Sequence, residues 1–435
     1  MLKITQVLVA FIISMSVYSQ IGTVTIIKAG KLIDTENGKV LNNQLILIQN
    51  DTIKNISATL NIPSNATVID LSNATVLPGL IDCHTHITAQ PGNNYYDDIF
   101  RKSPIDYAVT AHIYAKRTLE AGFTTCRDVG SQAFIDVALR NAINNGDIPG
   151  PRLQVATLFI GSTGSHGDLN GFSPFLDWNL PKEMSGVANG VDELRKQVRY
   201  NIKYGADLIK FGASAGVLSE EESVGGPQFT QEEMDAIVNE AKIWGRKTAA
   251  HAHGTEAIKM AVKAGVASIE HGSFLDDEAI QLMKQHGTYL VADIYNDDYI
   301  LSEYAKLGYP DKIINKERSV GKTQRESFEK AAKAGVKIAF GTDAGVYPHG
   351  YNARQFKWMV RFGLTPMQAI QAATVNAADL MGWSNKVGSI TGGKLADIIA
   401  INGNPLDDVS LLENVQFVMK GGIVYKNLLT KQAGQ

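Results

Sequence analysis

Val76-Leu77-Pro78-Gly79-Leu80-Ile81-Asp82-Cys83-His84-Thr85-His86 is an apolar run that closes on two histidines one residue apart. Side chains along a strand alternate faces, so His84 and His86 point the same way. Two imidazoles side by side at the end of a buried strand make half of a metal site. The pattern recurs in Ala249-Ala250-His251-Ala252-His253-Gly254 and in Ser268-Ile269-Glu270-His271-Gly272. Five of the nine histidines therefore fall at the carboxyl ends of predicted strands.

Around this run the chain changes rhythm. From 75 to about 364, strand-like runs alternate with helix-like segments. The runs cover 75–86, 123–129, 152–160, 207–213, 247–253, 266–271, 288–294 and 337–343. Helical patterns fall between them, at 192–204, 231–244 and 276–286, and Thr230-Gln231-Glu232-Glu233 reads as a capping box. Eight strand–helix units in succession predict an α/β fold, a (β/α)₈ barrel over 75–382. Short strands separated by Gly, Asn and Asp turns fill 21–74, and strands return at 395–401, 415–420 and 423–425. Neither end alone has much core to bury. The two ends, 21–74 and 383–435, are therefore expected to form one small β-sandwich domain beside the barrel.

Composition narrows the class. The 435 residues are 44% hydrophobic and 20% charged, with a net charge of −3, which is ordinary for a globular protein and carries no nucleic-acid footprint. Two cysteines, Cys83 and Cys126, exclude a disulfide scaffold. At the N-terminus, Lys3 precedes an apolar stretch from Val7 to Ile13, followed by small and polar residues to Gln20. This order predicts a signal peptide over 1–20 and a periplasmic or secreted enzyme, with no stable membrane association after cleavage. The competing reading is a buried element of the mature fold.

Catalytic groups of this barrel type sit at the carboxyl ends of strands. His84, His86, Lys210, His251, His253, His271 and Asp343 all occupy such ends. Imidazole and carboxylate suit zinc and similar divalent ions. Lys210 is the odd member, because an ammonium beside a cation is repelled. A lysine facing the barrel mouth must lower its pKa or find anions. As a neutral amine it can take up carbon dioxide and become a carboxylate-like bridge. Alternatively it points outward, or pairs with an acid such as Glu270. Of the second histidine pair only one need be a ligand, and Asp343 could instead cap a helix. His112 and His286 read as helix-surface residues and His349 as a loop residue near the mouth. His166 lies in the glycine-rich stretch 161–168, which lacks a phosphate-loop lysine and reads as a substrate-binding element.

These motifs together resemble the amidohydrolase superfamily, in its imidazolonepropionase-like and Xaa-Pro dipeptidase (prolidase-like) branch, which includes ochratoxin-hydrolysing carboxypeptidases. The resemblance covers nearly everything after residue 20. It implies two divalent metal ions, with zinc the expected metal. His84, His86 and Asp343 would hold one and His251 and His271 the other, with a CO₂-derived carbamate on Lys210 between them. It implies that Asp343 carries the proton in catalysis, and that His166 and His253 meet the substrate carboxylate. The implied activity is hydrolysis of a dipeptide (Xaa-Pro type) or an N-acyl or aryl amino acid, ochratoxin-like amides among them, by metal-activated hydroxide. The same core serves cyclic amides, lactams and esters. A non-catalytic exported metal-binding barrel and a purely structural barrel are the remaining readings. The expected partner is a small amide or dipeptide. The oligomeric state is left open, a homo-oligomer included.

Overall fold

A computed structural model describes residues 23–92, 98, 100–173, 181–221 and 223–429, so the signal-peptide segment lies outside the described residues. Fourteen strands are found among these: β1 (Val24–Asp34), β2 (Lys39–Gln49), β3 (Thr52–Ser57), β4 (Thr67–Pro78), β5 (Leu80–Thr85), β6 (Phe123–Asp128), β7 (Arg152–Val155), β8 (Leu208–Gly212), β9 (Lys247–Ala252), β10 (Ser268–His271), β11 (Tyr289–Val291), β12 (Ile398–Ile401), β13 (Phe417–Lys420) and β14 (Ile423–Asn427).

The barrel forms as expected, from parallel strands with helices between them. β5-β6-β7 pair in order, as do β8-β9-β10-β11. A bridge between Ile160 and Phe211 joins the two sets, and bridges Leu290–Ile338 and Thr85–Ala344 close the ring through the eighth segment. The predicted helices are present at Gly190–Lys203, Gln231–Ile243 and Asp277–His286. The Thr230 capping box forms: its side chain accepts from Glu233 N, and its own N–H donates to the Glu233 carboxylate.

Two runs depart from expectation. The predicted third strand over 152–160 stops at Val155, where Thr157 turns into the left-handed region (φ 65°). The predicted eighth strand over 337–343 makes only isolated bridges. Phe340 N donates to Ala372 O, at the end of the Pro366–Ala372 helix, and so is lost to a strand ladder.

The opening run also divides. Its first half, through Pro78, belongs to β4 and the flanking domain; its second half is β5. The boundary expected at 74/75 thus falls inside β4. Gly79 makes the joint, because a Cβ there would lie 2.1 Å from Thr124 Oγ1.

Both chain ends share the flanking domain. The expected β domain is present, its seven strands hydrogen-bonded in the order β14-β13-β12-β4-β1-β2-β3. Alternation decides its two faces. Val76, Ile398, Ala400, Phe417 and Met419 join the sheet's own core, while Leu77, Ile399, Ile401 and Val418 pack with the barrel. Cys83 and Cys126 are buried free thiols.

Candidate metal centre

β5 delivers the first pair of histidines, and the turn after the eighth segment brings Asp343 to them. Asp343 N donates to His84 O (2.8 Å) and His86 N to Ala344 O (2.7 Å). Asp82 fastens the junction, accepting from His84 N (3.1 Å), Thr342 Oγ1 (2.6 Å) and Asn352 Nδ2 (2.8 Å). Burial raises the Asp82 carboxyl to about 6 against those bonds. As a result Nε2 of both His84 and His86 lies 3.3 Å from Asp343 Oδ1.

Among the described residues, three groups have their donor atoms within 4.8 Å of one another: His84 with His86 and Asp343; His251 with His253 and His271; and His271 with Asp293 and Asp343. The third shares a member with each of the others, so the donors form one continuous cluster. Two members are held in unusual backbone conformations: φ is 69° at His271 and 56° at Asp343. Left-handed backbone at a non-glycine residue costs of order 1–3 kcal/mol, and the hydrogen bonds around these positions hold it in place.

The outer partners fix the ring orientations. His84 Nδ1 lies 2.8 Å from Glu270 Oε2, His86 Nδ1 2.9 Å from Gly130 O, and His271 Nδ1 2.8 Å from Asp293 Oδ1. Each partner is an obligate acceptor. A neutral ring therefore carries its proton on Nδ1 and leaves the Nε2 lone pair free to ligate. His251 Nε2 is buried and has no hydrogen-bond partner. Burial, then the neighbouring imidazoles, keep His251 well below the usual histidine range, hence neutral. Orphaned lone pairs, a carboxylate and acceptor-fixed rings fit a divalent metal centre.

His253 shares the second group but differs in its support. Its Nδ1 meets Ser273 Oγ (2.7 Å), a hydroxyl that can donate or accept. Its tautomer is thus not imposed as it is for His84, His86 and His271. His166 stacks on His251 with centroids 4.1 Å apart, and burial lowers it to about 3. His166 is therefore packed against the cluster, supported by Gln228 Oε1 on its backbone N–H (2.9 Å).

Lys210 is 1% exposed and lines the cavity, which excludes an outward, snorkelling side chain. Among the described residues it makes no ion pair with Glu270. That carboxylate is already occupied by His84 on one oxygen and by Arg127 Nη2 (2.7 Å) on the other. Burial lowers the Lys210 amine to about 8, against the pull of Glu270 and Asp343. Carbamate formation requires a neutral amine, and the lowering moves Lys210 toward that form. His112 and His286 are exposed on helices as read, while His349 is buried with Nε2 2.7 Å from Ala89 O.

Sequence reasoning passed over several supporting residues. Asp293 lies two residues past the end of β11, a strand-end position like the one that singles out Asp343. Glu270 reads from the sequence only as a partner for Lys210. Arg127 is a charged residue inside β6, all of whose residues are buried, and is 2% exposed. Gly216 carries no visible signal, yet a Cβ there would lie 2.7 Å from both His166 Cε1 and His251 Nε2. Lys316 closes the same loop from behind, donating to the carbonyls of Gly216 (3.1 Å), Ser219 (2.5 Å) and Glu221 (3.0 Å).

Residues 75–426 match the model of the amidohydrolase family. The chain belongs to that family. An ochratoxinase from Aspergillus niger is 33% identical over 425 residues, covering 93% of this chain and 87% of the relative. A Xaa-Pro dipeptidase, crystallised with methionine in its active site, is 43% identical with a TM-score of 0.88, over 93% of this chain and all of that one. A prolidase complexed with N-methylphosphonate-L-proline is 32% identical with a TM-score of 0.85, again over 93% and 100%. This amidohydrolase has the family's barrel and its sheet domain built from both chain ends, and it is a hydrolase of amide or peptide bonds. Members of the family typically bind divalent metals, and this chain has candidate His and Asp groups that could hold them.

Proposed function

We propose that the protein is a binuclear metal-dependent amidohydrolase that cleaves dipeptides (Xaa-Pro type) or N-acyl or aryl amino acids bearing a free carboxylate, ochratoxin-like amides included. The reading rests on one arrangement: the Nε2 atoms of His84 and His86 converge on Asp343 Oδ1 beside the His251–His271 group, while outer acceptors hold the Nδ1 atoms of His84, His86 and His271. His84, His86 and Asp343 would hold one ion, His251 and His271 the other, and carboxylated Lys210 would bridge them. Zinc is the metal we favour. Bound there, two divalent ions would supply Lewis acidity, lowering the pKa of a water and polarising the scissile carbonyl.

The chain's own groups account for the rest. Asp343 takes the proton of the attacking water on its carboxylate and passes it to the leaving nitrogen. Asn296 Nδ2 lies 3.3 Å from Asp343 Oδ2 and orients that carboxylate. His166 and His253 both line the cavity and take the substrate carboxylate. Both are neutral when the cavity is empty, because burial disfavours their cations; an arriving carboxylate favours the protonated form and is paired by it. The amino-terminal pattern of residues 1–20 supports export to the periplasm or beyond, with removal of that segment.

Metal analysis combined with a substrate screen tests the proposal. We expect two metal equivalents per chain, turnover of Xaa-Pro, Xaa-Arg/Lys or N-acyl amino acids, loss of activity with a chelator, and recovery that needs both zinc and bicarbonate. A protein that binds no metal would overturn the reading. Equal hydrolysis of amides lacking a free carboxylate would overturn the roles of His166 and His253.

A further inference from the structure

The segment between β11 and the eighth barrel segment brings one group into the cavity that the mechanism does not use. Glu317 belongs to the Asp311–Ala334 helix, is 3% exposed, and lines the cavity of about 490 Å³ that holds the candidate ligands. Among the described residues its carboxyl group has no hydrogen-bond or ion-pair partner. The cations near it are committed elsewhere. Arg325 Nη1 pairs with Asp297 (2.9 Å), its Nη2 with Asp298 (3.0 Å), and its Nε donates to Ile294 O (3.0 Å). Lys316 is held by three backbone carbonyls. The Asp293 carboxylate is taken by His271, Gln324 and Asn296.

A second unused acceptor accompanies it. Asn296 directs its amide N–H groups to Asp293 and Asp343, which leaves its Oδ1 buried without a partner, and Asn296 lines the same cavity. Around these acceptors the wall is apolar, formed by Val217, Ile300, Val320 and Val346. Burial, then the charges of Asp297 and Asp293, raise the Glu317 carboxyl to about 8, as expected for an acid that lacks a cation. A buried carboxyl without a donor is costly. A ligand that brings a positive charge relieves that cost.

We propose that Glu317 is a specificity-determining residue whose carboxylate, assisted by Asn296 Oδ1, binds a cationic nitrogen of the substrate, an ammonium or a guanidinium. The proposal rests on reading the cavity as a site for dipeptides or N-acyl amino acids. Two sources share this chemistry: the α-ammonium of an amino acid or peptide, and the side chain of lysine or arginine.

Calorimetric titration of the zinc-loaded full chain and its Glu317→Gln variant with L-lysine, L-norleucine and N-acetyl-L-norleucine separates the sources. If the side chain is recognised, the variant loses about tenfold or more in lysine affinity and keeps its norleucine affinity. If the α-ammonium is recognised, lysine and norleucine both weaken and N-acetyl-norleucine does not. Equal change for all three ligands, or no change, overturns the role of Glu317. A wild-type chain that binds none of the three and hydrolyses no amino-acid amide overturns the underlying reading, and this inference with it. A melting curve for the variant guards against misfolding. Glu317→Asp, which keeps the charge, should recover part of the discrimination if charge recognition is the cause, and none if the effect is structural.

Discussion

Glu270 holds His84 with one carboxylate oxygen and Arg127 with the other, at 2.8 and 2.7 Å. All three side chains are buried at the centre of the barrel. Burial alone would raise the Glu270 carboxyl, but Arg127, then the His84 bond, drive it well below the usual range. An anion is therefore fixed behind the first candidate ligand. Glu270→Gln breaks that arrangement, because an amide can donate to His84 Nδ1 and push the ring proton onto Nε2. We expect metal affinity to fall about 10–100-fold, read by chelator competition. Unchanged affinity would show that another group sets the His84 tautomer.

Asp343→Asn separates binding from proton transfer. Asparagine tolerates the left-handed backbone found at this position, so the fold should survive. We expect metal to be retained and kcat to fall by about 10²–10⁴-fold. An unchanged kcat would remove Asp343 as the proton carrier.

Gly216→Ala puts a methyl group 2.7 Å from His251 Nε2 and His166 Cε1. The loop cannot easily retreat, since Lys316 ties its carbonyls down. The expected outcome is loss of the metal equivalent that depends on His251, with the other retained, measured by elemental analysis of the purified variant. Two retained equivalents with full activity would show that the loop yields.

Glu317 makes stability depend on pH with a definite sign. Its folded value of about 8 lies above the ordinary carboxyl value of 4.5. The protonated acid thus contributes stability that is complete below about 4.5 and is lost as pH rises through 8. Glu317→Gln keeps a neutral group at every pH. Its melting temperature should therefore gain on the wild type as pH moves from 5 to 9. A gap that stays constant over that range would mean that Glu317 is ionised in the folded protein throughout.

Much of this was written in local patterns. The eight-fold alternation gave the barrel, and strand-end positions singled out the donors that the fold gathers at one end. What local patterns did not carry was anything set by packing across the barrel. The eighth segment reads as a strand, but Ala372 takes an amide that a ladder needs. Val76 and Ile81 belong to one apolar run, yet Val76 packs in the core of the flanking sheet and Ile81 in a separate cluster with Tyr289 and Val291 of the barrel. Glu317 reads as one charged residue on an amphipathic helix. Only the neighbours on every side reveal that it lacks a counter-charge.

The joint at Gly79 also bears on how the protein is made. β4 leads through Gly79 into β5, which carries His84 and ends just before His86, and β4 lies between β1 and β12, with Pro78 paired to Ile398. A chain emerging from the ribosome therefore exposes its first two candidate metal ligands long before it has synthesised the strand that pairs with β4. Asp343 also comes late. The candidate group of His84, His86 and Asp343 is complete only once both parts of the chain are made, so under the proposed function metal would be acquired late in synthesis.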